Sequence, residues 1–391
     1  MMSKINFSKC RVNRFSGRMN MWRFLLNVVV ILFITGCQRA GKSPVELGAI
    51  LPLTGDAAIY GQELKNGIEL AREEINNAGG IKGKKIEVKY EDDRGQPKEG
   101  VTAIQKLINV DKVPVIIGGA TSSVALSVAP IAVEKKVVLL SPTATAPALS
   151  KVGKYFFRIW PSDNYDGLIM AQFAYDKLSL KKVAILYVNT EYGQGIEGVF
   201  RKEFEKRGGT ILTSESYELG ATDFRGQIAK IKQLEPEAIY LPGYYKELAG
   251  ILKQAKELGI KSTFLSVNSF YDPKLLEIVG ASAEGAVFTY PTYDPKSEDP
   301  LTKKFVDAFK NKYKKEPDAF AAQGYDAMKV VAEAIQIGSF SRDGILDAMV
   351  QIKDFPGVAG NISFDENGDV HKPLRFLTVR KGKFVSLQKQ T

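Results

Sequence analysis

Two clusters of small hydroxyl residues are the strongest chemical signal in the sequence. Ser122 and Ser123 follow one β-branched apolar run, and Thr143 and Thr145 follow the next. Neighbouring parallel strands deliver their carboxyl ends to one edge of an α/β sheet, which is where such sheets bind ligands. Ser122 and Ser123 also stand where the following helix begins. Their hydroxyls would be simple helix caps, or would hold an anion such as a carboxylate together with the free amides of the first turn.

Side chains for catalysis are scarce. His371 is the single histidine of the sequence, and Cys10 and Cys37 are its two cysteines. A triad built on histidine or a zinc site needs more of these residues. The adjacent acids Asp92 and Asp93 are typical of solvated charges. We therefore predict that the protein is not an enzyme and carries no metal or cofactor.

A glycine pattern keeps one enzymatic alternative open. Gly193, Gly195 and Gly198 satisfy the Gly-x-Gly-x-x-Gly fingerprint, and Glu215 lies about twenty residues further on. Four residues, 189–192, separate the predicted strand from the first glycine, whereas a dinucleotide turn leaves almost no room there. A nucleotide-dependent enzyme is thus the weaker hypothesis, and it depends on this fingerprint alone.

The N-terminal segment predicts export. Six basic residues and no acidic residue precede Cys37, and the apolar run 24–34 is too short to span a bilayer. The sequence Ile34-Thr35-Gly36-Cys37 resembles the lipobox of bacterial lipoproteins, in which the cysteine becomes lipid-modified. We expect a signal peptide over 1–37, a lipid anchor at Cys37 and a tether over 38–44. The remaining 48 basic and 44 acidic residues give no basic stripe for nucleic acid.

Strands and helices alternate in two consecutive series, which predicts an α/β protein with two doubly wound lobes. A length of 391 residues also suits two cores. Three helices over 301–353 follow without strands, so we expect the chain to return there to the first lobe. The predicted lobes are 45–160 with 291–365, and 161–290 with 366–391.

Aromatic and amide residues follow several predicted strands of both lobes. Tyr60 follows the first strand, Tyr192 begins the helix after a second-lobe strand, and Tyr244, Tyr245 and Asn268 follow two others. Each residue alone would be an ordinary loop side chain. Together they predict a cleft between two sheet edges, with hydroxyls on one wall and aromatic rings on the other.

Many short motifs carry a family resemblance that covers residues 45–385. These motifs are Pro52-Leu53-Thr54-Gly55, Tyr60-Gly61-Gln62, Glu74-Ile75-Asn76, Gly79-Gly80-Ile81, Asp92-Asp93, Ser141-Pro142-Thr143-Ala144-Thr145-Ala146-Pro147, Tyr192-Gly193 and Gly243-Tyr244-Tyr245. The chain resembles the extracytoplasmic solute-binding proteins of branched-chain amino acid ABC transporters. The resemblance implies the type I periplasmic binding fold, in which two lobes joined by three crossovers close on a small ligand by hinge motion.

The resemblance also implies roles for individual residues. Ser122, Thr143 and Thr145 would bind the ligand carboxylate through hydroxyl and backbone amide donors. The matching aromatic wall is Tyr60, Tyr192 and Tyr245, with Tyr244 as the register alternative to Tyr245.

Asn268 departs from the family pattern. The family's amino-acid binders have a glutamate there that pairs with the ligand ammonium, and a neutral amide loses that charge-assisted contact. Asp163 is a candidate for the missing carboxylate, although the sequence does not place it in the cleft. The family's first-lobe disulfide is also absent, because no cysteine lies within 92–121.

We therefore expect a lipid-anchored, exported and monomeric protein at the periplasm or cell surface. It would capture a small carboxylate-bearing solute, such as leucine, isoleucine or valine, for the permease of an ABC transporter. The alternatives are a binder of an amide, an aromatic acid or another organic acid, and a sensor with the same fold.

Overall fold

A computed structural model describes residues 43–387 of the chain. The predicted signal peptide, Cys37 and all but the end of the tether lie outside the described residues, as do residues 388–391. No helix within 43–387 is long and apolar enough to cross a membrane.

The first sheet is built from five parallel strands that read as short apolar runs. Its strands are β1 (Val45–Leu51), β2 (Ile86–Asp92), β3 (Val115–Gly118), β4 (Val138–Ser141) and β5 (Phe156–Arg158), in the order β2-β1-β3-β4-β5. Every residue of β3 and β4 is buried, as expected of parallel strands covered on both faces.

The second sheet has seven strands. They are β6 (Lys182–Val188), β7 (Thr210–Tyr217), β8 (Ala238–Leu241), β9 (Thr263–Ser266), β10 (Val287–Pro291), β11 (Leu374–Arg380) and β12 (Lys383–Ser386), in the order β12-β11-β10-β9-β8-β6-β7. Strands β6 to β10 pair in parallel, and the hairpin β11-β12 adds antiparallel strands at the β10 edge.

Eleven α-helices within 43–387 connect and cover the strands. They are α1 (Ala58–Asn77), α2 (Pro97–Asn109), α3 (Ser122–Glu134), α4 (Asp163–Gln172), α5 (Glu191–Lys206), α6 (Arg225–Gln233), α7 (Tyr245–Glu257), α8 (Pro273–Val279), α9 (Pro300–Tyr313), α10 (Ala319–Ile337) and α11 (Arg342–Gln351). Alternate strand residues enter different cores: Leu47 and Ile117 lie in one apolar cluster, and Ile50 and Ile116 lie in the other. The first sheet is therefore covered on both faces, which is the doubly wound arrangement.

Helices α9 to α11 return to the first lobe. Helix α10 packs lengthwise on α1, and two glycines permit the close approach. A Cβ at Gly67 would lie 2.0 Å from the Ala321 carbonyl oxygen, and one at Gly324 would lie 2.1 Å from the Leu64 carbonyl oxygen. The chain thus passes between the lobes three times, after β5, after β10 and before β11.

A buried ion pair joins the first and third passages. Arg158, at the end of β5, is fully buried and donates from Nε to Asp369 Oδ1 at 2.6 Å and from Nη2 to Asp369 Oδ2 at 2.9 Å. The Arg158 amide also donates to the Gly368 carbonyl oxygen at 2.9 Å. Both side-chain and backbone bonds therefore hold these two passages side by side.

Two short elements differ from the expectation. The sequence predicted neither β5, with three residues, nor α8, with seven residues. Segments this short contain too few residues to show the apolar spacing of a helix or of a strand. A short buried apolar run is therefore compatible with either element.

Candidate ligand-binding cleft

A cleft lies where the carboxyl ends of both sheets face each other. The loops after β1, β3 and β4 form one wall, and residues that follow β6, β8 and β9 form the other. The lining residues are Pro52, Tyr60, Ala120, Thr121, Ser122, Thr143, Thr145, Tyr192, Tyr244, Asn268, Ser269 and Phe320.

Six of the seven residues predicted for ligand binding line this cleft. They are Tyr60, Ser122, Thr143, Thr145, Tyr192 and Asn268. Tyr245 lines an adjoining space, whereas Tyr244 borders both spaces. The ring centroids of Tyr244 and Tyr245 lie 6.3 Å and 6.4 Å from that of Tyr60, so both alternatives contact the same aromatic group.

Ser122 occupies the first position of α3 and is 3% exposed. Its Oγ accepts hydrogen bonds from the amides of Thr145 at 3.3 Å and Ala146 at 3.1 Å. A hydroxyl has two acceptor sites and one hydrogen, so these two bonds leave the hydrogen available to a ligand acceptor. Ser122 is therefore a fixed donor at the floor of the cleft.

The start of α3 adds further donors beside Ser122. Thr121 is the residue before the helix, and its side chain makes no capping bond to the first turn. The first amides of a helix lack partners inside the helix, and the helix dipole favours negative charge there. Thr121 Oγ1 is itself buried without a hydrogen-bond partner among residues 43–387. This end of the cleft can hold an anion.

The two threonines are bonded differently from Ser122. Thr143 Oγ1 donates to the Ala120 carbonyl oxygen at 2.8 Å, and Thr145 Oγ1 donates to Asp163 Oδ2 at 2.8 Å. Both hydroxyl hydrogens are thus engaged by the protein, so in this arrangement these side chains offer acceptors to the cleft. The resemblance had implied that they act as donors.

Aromatic rings from both walls contact one another across the cleft. The Phe320 ring lies 4.6 Å from Tyr60 and 5.5 Å from Trp160, and the Tyr192 ring lies 5.5 Å from Tyr244, between ring centroids. Phe320, Trp160 and Thr121 were not among the residues predicted from the sequence. Phe320 follows no strand, because it sits in the first turn of α10, so the rule of strand ends could not identify it.

The hydroxyls of two cleft tyrosines have no partner among the described residues, namely Tyr60 and Tyr192. Burial raises the pKa of each hydroxyl well above its ordinary value, aided by Asp272 beside Tyr60 and by Asp163 beside Tyr192. Both side chains therefore remain protonated at neutral pH and can donate to a ligand.

Asn268 begins a short turn, Asn268–Phe270, directly after β9. The neighbouring Ser269 hydroxyl donates to the Gly243 carbonyl oxygen, which ties this turn to the end of β8. Burial raises the pKa of Asp166 to about 7, against the opposing effect of the nearby Thr289 hydroxyl and Asn268 amide. Asn268 thus lines the cleft and also reaches a buried carboxyl group.

The glycine fingerprint lies inside α5. Thr190 precedes the helix, and its hydroxyl accepts from the Gly193 amide at 3.4 Å. A Cβ at Gly193 would lie 2.0 Å from the Val188 carbonyl oxygen, and one at Gly195 would lie 2.7 Å from the Pro147 ring. These glycines permit close packing, and the strand-to-helix turn of a dinucleotide site is not formed. Within 43–387, no group of three or more His, Cys, Asp or Glu residues is placed to hold a metal ion.

Two polar contacts bridge the lobes at the mouth of the cleft. Lys246 Nζ donates to Asp56 Oδ1 at 2.9 Å, and the Ser123 hydroxyl donates to the Glu191 carboxylate. Asp56 and Ser123 belong to the first lobe, whereas Lys246 and Glu191 begin helices of the second. The structure is thus closed over the cleft.

Two α/β lobes, three chain passages and a cleft of hydroxyls and aromatic rings between the lobes are the architecture of a bilobal solute-binding protein. Residues 44–383 match the family described as "Periplasmic binding protein". The chain belongs to this family, and the resemblance of its motifs to the solute-binding proteins of branched-chain amino acid ABC transporters is confirmed.

Three relatives support this assignment. A Leu/Ile/Val-binding protein homolog from Brucella melitensis is 30% identical over 368 residues, which is 93% of this chain and 99% of the relative. The crystal structure of the leucine-binding protein LivK from Thermotoga maritima has a TM-score of 0.81 and 35% identity, over 88% of this chain and 97% of that chain. The protein LivJ from Streptococcus pneumoniae, solved with isoleucine, has a TM-score of 0.80 and 32% identity, over 87% and 97%.

Proposed function

We propose that this protein is a lipid-anchored, monomeric binding protein that captures an aliphatic amino acid for the permease of an ABC transporter. The observation that carries the proposal is the buried Ser122 hydroxyl, whose hydrogen is available to a ligand. This hydroxyl lies at the start of α3, where no side chain caps the helix. This donor set suits a carboxylate, and the aromatic rings that line the cleft suit an aliphatic side chain. Leucine, isoleucine and valine each have a carboxylate and an aliphatic side chain, and the names of relatives include these amino acids.

Calorimetry of the purified protein against amino acids and organic acids tests the proposal. We expect leucine, isoleucine or valine to release or absorb heat with one-site saturation. Mass spectrometry of the protein as purified should identify the same ligand if it is retained. Absence of binding by every amino acid would reject the proposal.

A variant of Ser122 tests where the carboxylate binds. Removing a hydrogen bond to a charged group costs about 1.5 to 3 kcal/mol. We therefore expect Ser122→Ala to weaken binding by about 10- to 100-fold. Ser127→Ala is the matched control, because Ser127 lies on the same helix and its Oγ bonds, among residues 43–387, only to the Ser123 carbonyl oxygen at 2.9 Å. Equal affinities of the two variants would mean that the carboxylate binds elsewhere.

Asn268 favours a second candidate, an organic acid or amide that lacks an ammonium group. A neutral amide at this position supplies no charge for such a group. The same calorimetric panel separates the two candidates: binding of carboxylates without amino groups, and of no amino acid, would favour the second. A sensor of the same fold would bind through the same cleft, and genes for a kinase or regulator beside its own would indicate it.

The lipid anchor and the lobe boundaries belong to the same proposal. Cys37 would carry the lipid, and Cys37→Ala should release the protein from membranes; an unmodified Cys37 in mass spectra would reject the anchor. The lobes would comprise 45–160 with 291–365, and 161–290 with 366–391, and would separate when the ligand leaves. Small-angle scattering should then record a larger radius of gyration for the ligand-free protein.

A further inference from the structure

Five buried polar side chains meet beneath the second-lobe wall of the cleft, and each has an atom without a hydrogen-bond partner among residues 43–387. These atoms are Asp163 Oδ1, Asp166 Oδ1, Tyr192 OH, Tyr240 OH and Thr289 Oγ1. None of the five residues is more than 5% exposed. Buried polar groups are normally hydrogen-bonded, so these atoms leave the two carboxyl groups with few donors from the protein. We call these five residues the acidic cluster.

The acidic cluster adjoins the cleft at three points. Asp163 accepts the hydroxyl hydrogen of Thr145, which lines the cleft. Tyr192 belongs to the cluster and to the cleft lining alike. The Asn268 side chain lies within hydrogen-bonding reach of Asp166 and also lines the cleft. A group bound in the cleft would therefore lie one side chain away from two carboxyl groups.

The acidic cluster also lacks a compensating positive charge. Arg158 is near enough to favour ionisation of Asp163. However, its guanidinium already bonds to both Asp369 oxygens, to the Ser150 hydroxyl and to a backbone carbonyl oxygen. Among the described residues, Asp163 and Asp166 form no ion pair. A buried carboxylate without a partner is strongly disfavoured, so the cluster needs a proton or an external cation.

We propose that Asp166, behind Asn268, supplies the negative charge that selects ligands with an ammonium group in this cleft. Beside a carboxylate, an amide turns its NH2 group towards the negative charge, and its carbonyl oxygen is then left to accept from the ligand. Asp166 is thus a positioning residue that acts through Asn268. This inference rests on the proposed function, because it names the second group of the same carboxylate-bearing ligand.

The test compares leucine with 4-methylpentanoate, which has the same carbon skeleton and carboxylate but no amino group. Affinities of both ligands are measured by calorimetry for the wild-type protein and for Asp166→Asn. We expect the wild type to prefer leucine. The variant should bind leucine at least tenfold more weakly and 4-methylpentanoate within about twofold of the wild-type affinity. Asn268→Glu in the Asp166→Asn background should restore the preference.

Asp326→Asn provides the matched control. Asp326 is also a buried carboxyl group, but it accepts from the Val358 and Ala359 amides, away from the cleft. We expect it to change neither affinity. Equal losses for both ligands in Asp166→Asn would overturn the inference, because a merely structural residue would act on both. A wild-type protein that binds 4-methylpentanoate as tightly as leucine would also overturn it while leaving the carboxylate site intact. Failure of both ligands to bind would instead reject the proposed function itself.

A measurement on the wild type keeps the inference testable if Asp166→Asn does not fold. Leucine should gain affinity relative to 4-methylpentanoate from about pH 5.5 to about pH 7.5, as Asp166 ionises. The groups that face Asp166 from the packed elements are Asp163, Tyr192, Tyr240, Asn268 and Thr289, with Arg158 beside Asp163. Burial raises the pKa of both tyrosines well above their ordinary value, so these side chains stay protonated throughout. A ratio of affinities that stays constant with pH would overturn the inference.

Discussion

Thr145 shows how one side chain serves both the cleft and the passage between the lobes. Its hydroxyl donates to Asp163, and its carbonyl oxygen accepts from the Asp163 amide at 2.9 Å. Asp163 begins α4, directly after the first passage from lobe to lobe. The hydroxyl of Thr145 thus fixes the entry of the chain into the second lobe.

We expect Thr145→Val to lower the free energy of unfolding by about 1 to 3 kcal/mol, because it leaves the buried Asp163 carboxyl group without its hydroxyl donor. Thr145→Ser should recover most of the loss. Urea denaturation of the ligand-free variants measures both effects. Thr143→Val is the comparison, since the Thr143 hydroxyl donates to a backbone carbonyl oxygen and bonds no carboxyl group. A smaller loss in Thr145→Val than in Thr143→Val would contradict this role.

Residue by residue, the sequence predicted hydroxyls and aromatics that follow strands, since strand ends meet at one sheet edge. Ser122, Thr145 and Tyr192 are examples that line the cleft. It did not predict the bonding state of each hydroxyl, which depends on partners such as Asp163 in another segment. Asp166 was missed altogether, because an acid in the first turn of a helix is typical of any helix start.

A buried ion pair between Arg158 and Asp369 holds the first and third passages between the lobes together. Arg158 has no exposed surface, so its guanidinium depends entirely on Asp369, Ser150 and the Ala146 carbonyl oxygen. Gly368 stands beside this pair with φ +76°, and a Cβ there would lie 2.2 Å from the Phe156 carbonyl oxygen. The positive φ and the close backbone contact at this position both require glycine. Gly368 therefore allows the third passage to pack against β5.

Asp369→Asn should destabilise the protein by about 3 to 5 kcal/mol, since it leaves the buried Arg158 guanidinium without its counter-charge. Denaturant unfolding followed by circular dichroism measures the change. Glu46→Gln is the control, because Glu46 forms an exposed ion pair with Lys89 at 3.1 Å and its removal should leave the midpoint nearly unchanged. Similar midpoints for Asp369→Asn and the wild type would contradict a structural role for the pair.

At the level of elements, long periodic segments such as α10 and β6 were predictable because their apolar spacing extends over several turns or residue pairs. The pairing of Arg158 with Asp369 was not, since the two residues are 211 positions apart. The contact of Lys246 with Asp56 across the mouth of the cleft was unpredictable for the same reason, because these residues are also far apart in the sequence.

The whole molecule holds several carboxyl groups that burial makes hard to ionise. Burial raises the pKa to about 7 for Asp93, Asp166 and Asp318, and to about 6 for Asp326. Their pKa in the unfolded chain is near 4, so the native state binds more protons than the unfolded state between these values. Stability must then fall as the pH rises through this range.

We expect the ligand-free protein to be more stable at pH 5 than at pH 8, by at least about 2 kcal/mol in the free energy of unfolding. The carboxyl groups whose pKa the fold lowers, such as Asp92 with its bonds from Thr54 and nearby amides, are already ionised in both states above pH 5. They therefore do not oppose the trend in this window. Urea denaturation at several values from pH 5 to pH 8 measures the trend. Asp93→Asn removes one of these carboxyl groups outside the acidic cluster, so stability should fall less steeply with pH in this variant. A stability that rises from pH 5 to pH 8 would mean that these carboxyl groups are ionised in the native protein at low pH.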